Sequence, residues 1–165
     1  MKSIARRRPR IGDVFELKTP IGFAYLQYIN KHDEWGALVR VLGPVLEFRP
    51  AEFQHVVAQQ ERFVIFFPLG AAVAKGIVSM VAHMPLPERS NTFPLFKAPG
   101  NIEGGKVLDW WLWDGNSSWR VAELSADQYD LPTQQVVNDT MLIDLILNNW
   151  RPRDHVESLK IGSGE

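Results

Sequence analysis

The chain has no cysteine in its 165 residues. That excludes a disulfide framework, a thiol nucleophile and a thiolate metal site. No apolar run reaches the roughly eighteen residues that a membrane-spanning helix needs. "FVIFFPLGAAVA" (63–74) is among the longest, and Pro68 and Gly70 break it. The opening "MKSIARRRPR" lacks the apolar centre of a secretory signal, so a cytoplasmic location is expected and the sequons at Asn116 and Asn138 are discounted. The four histidines, His32, His55, His83 and His155, do not share metal-ligand spacing on one element. Three nucleotide and hydrolase signatures are also missing. "GAAVAKG" (70–76) lacks the second glycine and the Ser or Thr of a phosphate loop, no G-x-G-x-x-G occurs, and no G-x-S-x-G elbow presents a serine. No cofactor and no metal are therefore expected.

What is present is an apolar fraction of 45%, enough for one domain with a proper core. Charge is unevenly spread. Five of the eighteen basic side chains (Lys2, Arg6, Arg7, Arg8 and Arg10) fall in the first ten residues, which hold no acid. The rest of the chain carries thirteen basic against nineteen acidic groups, a formal charge of −6. Residues 1–10 are expected to form a flexible, solvated basic arm, the alternative being an arm that touches phosphate, and an acidic body disfavours nucleic acid as a partner.

"GDVFELKT" (12–19), "FAYLQYI" (23–29) and "ALVRVLG" (37–43) read as three successive strands joined by short loops, an antiparallel meander curling toward a small barrel. Phe53, Val56 and Val57 have the spacing of one helical face after Pro50, and "RFVIFFPL" (62–69) reads as a buried strand. "GAAVAKG" suits a short helical turn, "IVSMVAH" (77–83) a strand, and residues 88–106 a loop. "NDTMLIDLILNNW" (138–150) is the clearest helix, with Asn138 or Asp139 as cap, an apolar stripe through Leu142, Ile143, Ile146 and Leu147, and Pro152 as its stop. The expected whole is α+β: a mostly antiparallel, strongly curved sheet with two helices packed on it, one domain over 11–155 and a flexible tail over 156–165.

Four tryptophans stand within ten residues, Trp110 to Trp119, in "DWWLWDGNSSWRV" (109–121). "GNSS" between two apolar runs predicts a hairpin. On a strand, Trp111 and Trp113 face one way, Trp110 and Leu112 the other. A strand wet on one face would show polar residues at every second position, so this one is expected between two layers, its rings mostly core. Trp35 and Trp119, each beside a polar loop, are the rings expected to be exposed. A partly exposed Trp beside a carboxylate suits a protein interface, or a cage for a cationic group. His32, Asp33 and Glu34 read as a solvated loop, while His83 could meet an acid from elsewhere in the chain to form a dispersed hydrolytic site.

"IGDVFELKTPIGFAYLQYI" (11–29) resembles the N-terminal signature of the immunity protein 26 family of bacterial polymorphic toxin systems. Gly12, Asp13, Val14 and Phe15 match its first strand, and Ala24, Tyr25 and Gln27 its second; the likeness extends over about 11–41. The resemblance implies a non-catalytic protein that binds and neutralises a cognate toxin. On this reading the candidate interaction surface comprises Asp13, Tyr25, Trp35, Asp109, Trp111, Asp114 and Trp119, the partner is another protein, and no membrane is involved. The alternative is a barrel-type module whose aromatic groove, including Tyr25, Tyr28, Trp35 and Trp119, takes a ligand, a modified peptide or nucleic acid. Asp13 also suits a structural role, a strand-opening carboxylate that accepts turn amides.

Overall fold

A computed structural model describes residues 7–161, with side chains to 157. The expected meander is present as β1 (Asp13–Thr19), β2 (Gly22–His32) and β3 (Gly36–Leu46). These join β4 (Phe63–Phe66) and β5 (Val78–His83) in one antiparallel sheet of order β4-β3-β2-β1-β5. Register shifts at Val14/Phe15, Phe23/Tyr25 and Tyr28/Asn30 insert bulges, which increase local twist. The sheet stays open with β4 and β5 at its ends, so no barrel closes.

Strict alternation divides this sheet into two unlike faces. Phe15, Leu17, Leu26, Val39, Val41, Phe63 and Ile65 form the main core on one side. Two helices pack there: α2 (Leu69–Ala74) through Leu69 and Ala72, and α3 (Asp139–Leu147) through Leu142 and Ile146. Asn138 caps α3 by accepting the Met141 amide, as expected. The opposite face carries Val14, Tyr25 and Leu42 under α1 (Gln54–Ala58), interrupted by a polar row. Gln27 lies across from Arg40, and both are fully buried. Arg40 donates from Nε to Gln27 Oε1 at 2.8 Å and from a terminal nitrogen to the Val57 carbonyl at 2.6 Å, tying the strand to α1.

The tryptophan hairpin forms β9 (Trp110–Trp113) and β10 (Ser118–Val121). Its partner on the other side is β6 (Phe96–Pro99), inside the stretch expected to be loop, so β9 is the central strand of a three-stranded sheet. A two-stranded ribbon of β7 (Ile102–Glu103) and β8 (Lys106–Val107) leads into it. Both faces of β9 are covered. Trp113 packs with Phe66 and Phe96; Trp110 and Leu112 pack with Leu124 and Val156. Two parallel bridges, Phe66 to Val136 and Lys97 to Thr133, let one extended segment join the small sheet to the large one.

The two ends differ from expectation. Pro152 does not merely stop α3; it opens α4 (Pro152–Ile161), in keeping with proline's fitness for the first helical turn. Val156 is buried within α4, so the flexible tail expected from 156 is helical to Ile161. Residues 162–165 of that tail, and 1–6 of the expected arm, lie outside the described residues. From residue 7 onward the arm is fastened rather than free, because Arg7 grips Asp13 with two bonds of 2.7 and 2.8 Å.

Candidate functional site

A cleft of about 520 Å³ opens where the tryptophan hairpin meets the tip of the β2–β3 hairpin. Its floor is set by register. Ala98, Trp111 and Arg120 lie in one cross-strand row, and Phe96, Trp113 and Ser118 in the next row on the same face. Small residues (Ala98 and Ser118) beside large rings leave the hollow. Trp35 forms the facing wall, its ring 5.8 Å from Trp113 and 5.7 Å from Phe66. Glu34, Gln134 and Asn116 add polar edges, and Glu34 is the one carboxylate of this lining.

His32 fixes the shape. Its Nδ1 accepts the Glu34 and Trp35 amides at 3.1 and 3.3 Å, and its Nε2 lies 2.9 Å from the Gly115 carbonyl. Amides only donate and a carbonyl only accepts, so the ring is the neutral Nε2–H tautomer with both nitrogens engaged. The imidazole therefore joins the β2–β3 tip to the β9–β10 turn and is not a spare base. Its edge also packs on Trp113 at 4.8 Å. Arg120 shows what the floor accepts: its guanidinium carbon sits 4.9 Å above the Trp111 ring, with Nε 3.2 Å from Asp109.

The sequence-derived surface divides on inspection. Trp35 and Trp111 face each other across the cleft, both half-buried, so Trp35 is a wall and not the freely exposed ring expected. Trp119 is exposed at 41% but stands in the row of Leu112 and Lys97, on the opposite face of the small sheet. Asp109 and Asp114 shape loops. Asp109 accepts the Asn101 amide at 2.6 Å, and a side chain at Gly100 would collide with it. Asp114 accepts the Ser117 and Asn116 amides, which hold its carboxyl below the usual range.

Asp13 and Tyr25 do not belong to a surface at all. Tyr25 is 1% exposed and donates to Glu16, which Arg49 also grips; burial, with Glu16, pushes its hydroxyl well above the ordinary range. Asp13 is fully buried, accepting from Arg7, the Arg10 amide and His83 Nδ1. Burial pushes this carboxyl up, but those bonds outweigh it and the net shift is downward. The turn-amide role foreseen for Asp13 is the one it fills. It is also the distant acid that His83 meets, at 2.8 Å.

Two buried cations had no sequence signal. Arg40 and Lys97 sit at strand positions where alternation marks only an inward side chain. The Lys97 ammonium donates to the carbonyls of Tyr129, Leu131 and Pro152, and burial lowers it to about 8 against the pull of Asp130. No group of three or more metal-ligating side chains occurs among the described residues, and none of their helices is long and apolar enough to cross a membrane. No family model, no curated protein and no solved structure matches the chain.

Proposed function

We propose that the protein is a non-catalytic binder that captures a basic protein through the cleft between Trp35 and Trp111, in the manner of an immunity protein neutralising a toxin. The observation that carries this reading is the cleft's composition. Rings line it, Glu34 supplies its carboxylate, and Trp111 already holds one guanidinium within the chain. Such a site suits an arginine or lysine side chain presented by a partner, with cation–π and ionic contact combined. The formal charge of −6 beyond residue 10 suits the same partner by speeding encounter. His32 keeps the walls in place before binding, which lowers the ordering cost.

The test is co-expression with toxin genes encoded beside this one, scored by growth and by affinity of the purified pair. Wild type should protect. Trp111→Ala should weaken binding by about 2 kcal/mol or more, as central aromatic anchors do, while Met80→Ala on the far edge of the large sheet should match wild type. Absence of rescue by any neighbouring toxin, or full protection by Trp111→Ala, refutes the reading.

The Asp13–His83 pair favours a second reading, hydrolysis with His83 as general base. Asp13 lies 2.8 Å from Nδ1 of this half-exposed ring and orients it, which leaves Nε2 as the candidate base. A panel of ester, phosphodiester and peptide substrates decides it: turnover lost in His83→Ala supports it, and no turnover by wild type dismisses it.

A further inference from the structure

The β2–β3 tip borders a second cleft on its other side, about 390 Å³, and its chemistry is the reverse of the first. Arg8 and Lys31 line it and no acid does. Neither cation has an ion-pair partner among the described residues, although the same short segment spends Arg7 on Asp13. Tyr28, 7% exposed, lines the same cleft, and its hydroxyl makes no hydrogen bond among the described residues. The floor is small: Gly36, Ala37 and Gly70 contribute, and a side-chain carbon added at Gly36 or Gly70 would meet nothing within 4 Å.

We propose that this cleft binds the phosphate group of a small phosphate monoester, with Arg8 and Lys31 as counter-charges and the Tyr28 hydroxyl as a third donor. Two cations in a lining that holds no acid give the cleft a local positive charge, while the chain beyond residue 10 is net negative. Arginine presents a planar fork and lysine a point charge, and both suit a phosphate oxygen set. A tyrosine hydroxyl in the wall of the cleft adds a neutral donor beside the two cations. Burial also raises Tyr28 above the ordinary phenol range, so the hydroxyl remains a donor at neutral pH. The volume exceeds what a phosphate alone fills and falls within the range of small-ligand pockets. The site is independent of the aromatic cleft and of the partner proposed there.

Amide NMR of the full chain at low salt tests it, with inorganic phosphate, adenosine monophosphate, adenosine and a short RNA as separate titrants. Phosphate and the monophosphate should shift the amides of Lys31, Gly36, Gly70 and Ala71, and adenosine should not. A stronger response to the monophosphate than to phosphate assigns a role to the organic part; an equal response assigns recognition to the dianion alone. Lys31→Ala should weaken binding roughly tenfold, the scale of one charge-assisted bond, and Tyr28→Phe several-fold. Gly70→Glu places a carboxylate at the rim where its Cβ meets open space, so the fold is kept and binding should vanish. No shift at these amides by about 20 mM, a response to RNA alone, or shifts indifferent to both Lys31→Ala and Gly70→Glu would overturn the proposal.

Discussion

Arg40 and Lys97 show how single side chains stabilise this fold at a risk. Each is a cation removed from water and reconciled by bonds to particular oxygens. Removing one partner of such a set commonly costs about 3–5 kcal/mol, since the others stay buried without a mate. Arg40→Met should therefore lower the urea midpoint by an amount equivalent to about 3 kcal/mol or more, and a loss under about 1 kcal/mol would contradict the role given to it. Lys97 predicts a pH effect. Its native ammonium releases its proton near 8, while a lysine in the unfolded chain holds on to about 10.4. Between those values the unfolded state binds more protons, so the contribution of Lys97 to stability rises with pH, by at most about 1.4 kcal/mol per pH unit. Below that window the burial penalty is fully present. The stability of wild type relative to Lys97→Met should climb from pH 8 to 10; a flat difference, or an Nζ resonance that titrates above 10, refutes it.

Among the elements, α2 is short and carries Gly70 in its first turn, exposed and with open space where a Cβ would stand. Nothing there requires a glycine's freedom, because its φ is not among the positive ones. Gly70→Ala should raise stability by about 0.5–1 kcal/mol, seen as a higher melting temperature, by reducing the entropy of the unfolded chain. Elements with strong periodicity were legible in the sequence: the meander, α3 with its Asn138 cap, and the β9–β10 hairpin. The strand β6 was not. "FKAP" holds a lysine and a proline in four residues, and it is a strand because β9 supplies hydrogen bonds and Phe96 stacks on Phe66 at 5.1 Å. Tertiary pairing decided that segment, as it commonly does for strands. For α4 the signal was there, a proline at a first-turn position followed by Asp154, whose carboxylate accepts the Arg151 amide. Read from the helix before it, the same proline looked like a stop.

At the scale of the molecule, the candidate site was half legible. Trp35 was marked by its neighbouring polar loop, and Trp111 by residue type within the tryptophan cluster. That they line one cleft, while Trp119 turns away, follows from register and from a contact between two hairpins 83 residues apart in sequence, which no local pattern encodes. Asp13 and Tyr25 were misplaced for a related reason: polar groups on a strand suggest solvent until other segments cover them, here α1 and Phe53 for Tyr25, and Arg7, Arg10 and His83 for Asp13. Net charge, by contrast, is read directly from the sequence. If the partner is basic, its association rate should fall about tenfold or more between low and high salt, with dissociation little changed. A rate that is flat across ionic strength would remove the electrostatic part of the proposed function.

The bolt that His32 makes has a calorimetric consequence. Since the imidazole already joins the two hairpins, a guest entering between the indoles meets a seat that needs no assembly. Its heat of binding should then owe little to refolding of the host, and the measured heat-capacity change should match the apolar area of the guest alone. Replacing the ring by alanine would loosen the seat, and the same guest would bind with a larger entropic penalty although His32 need never touch it.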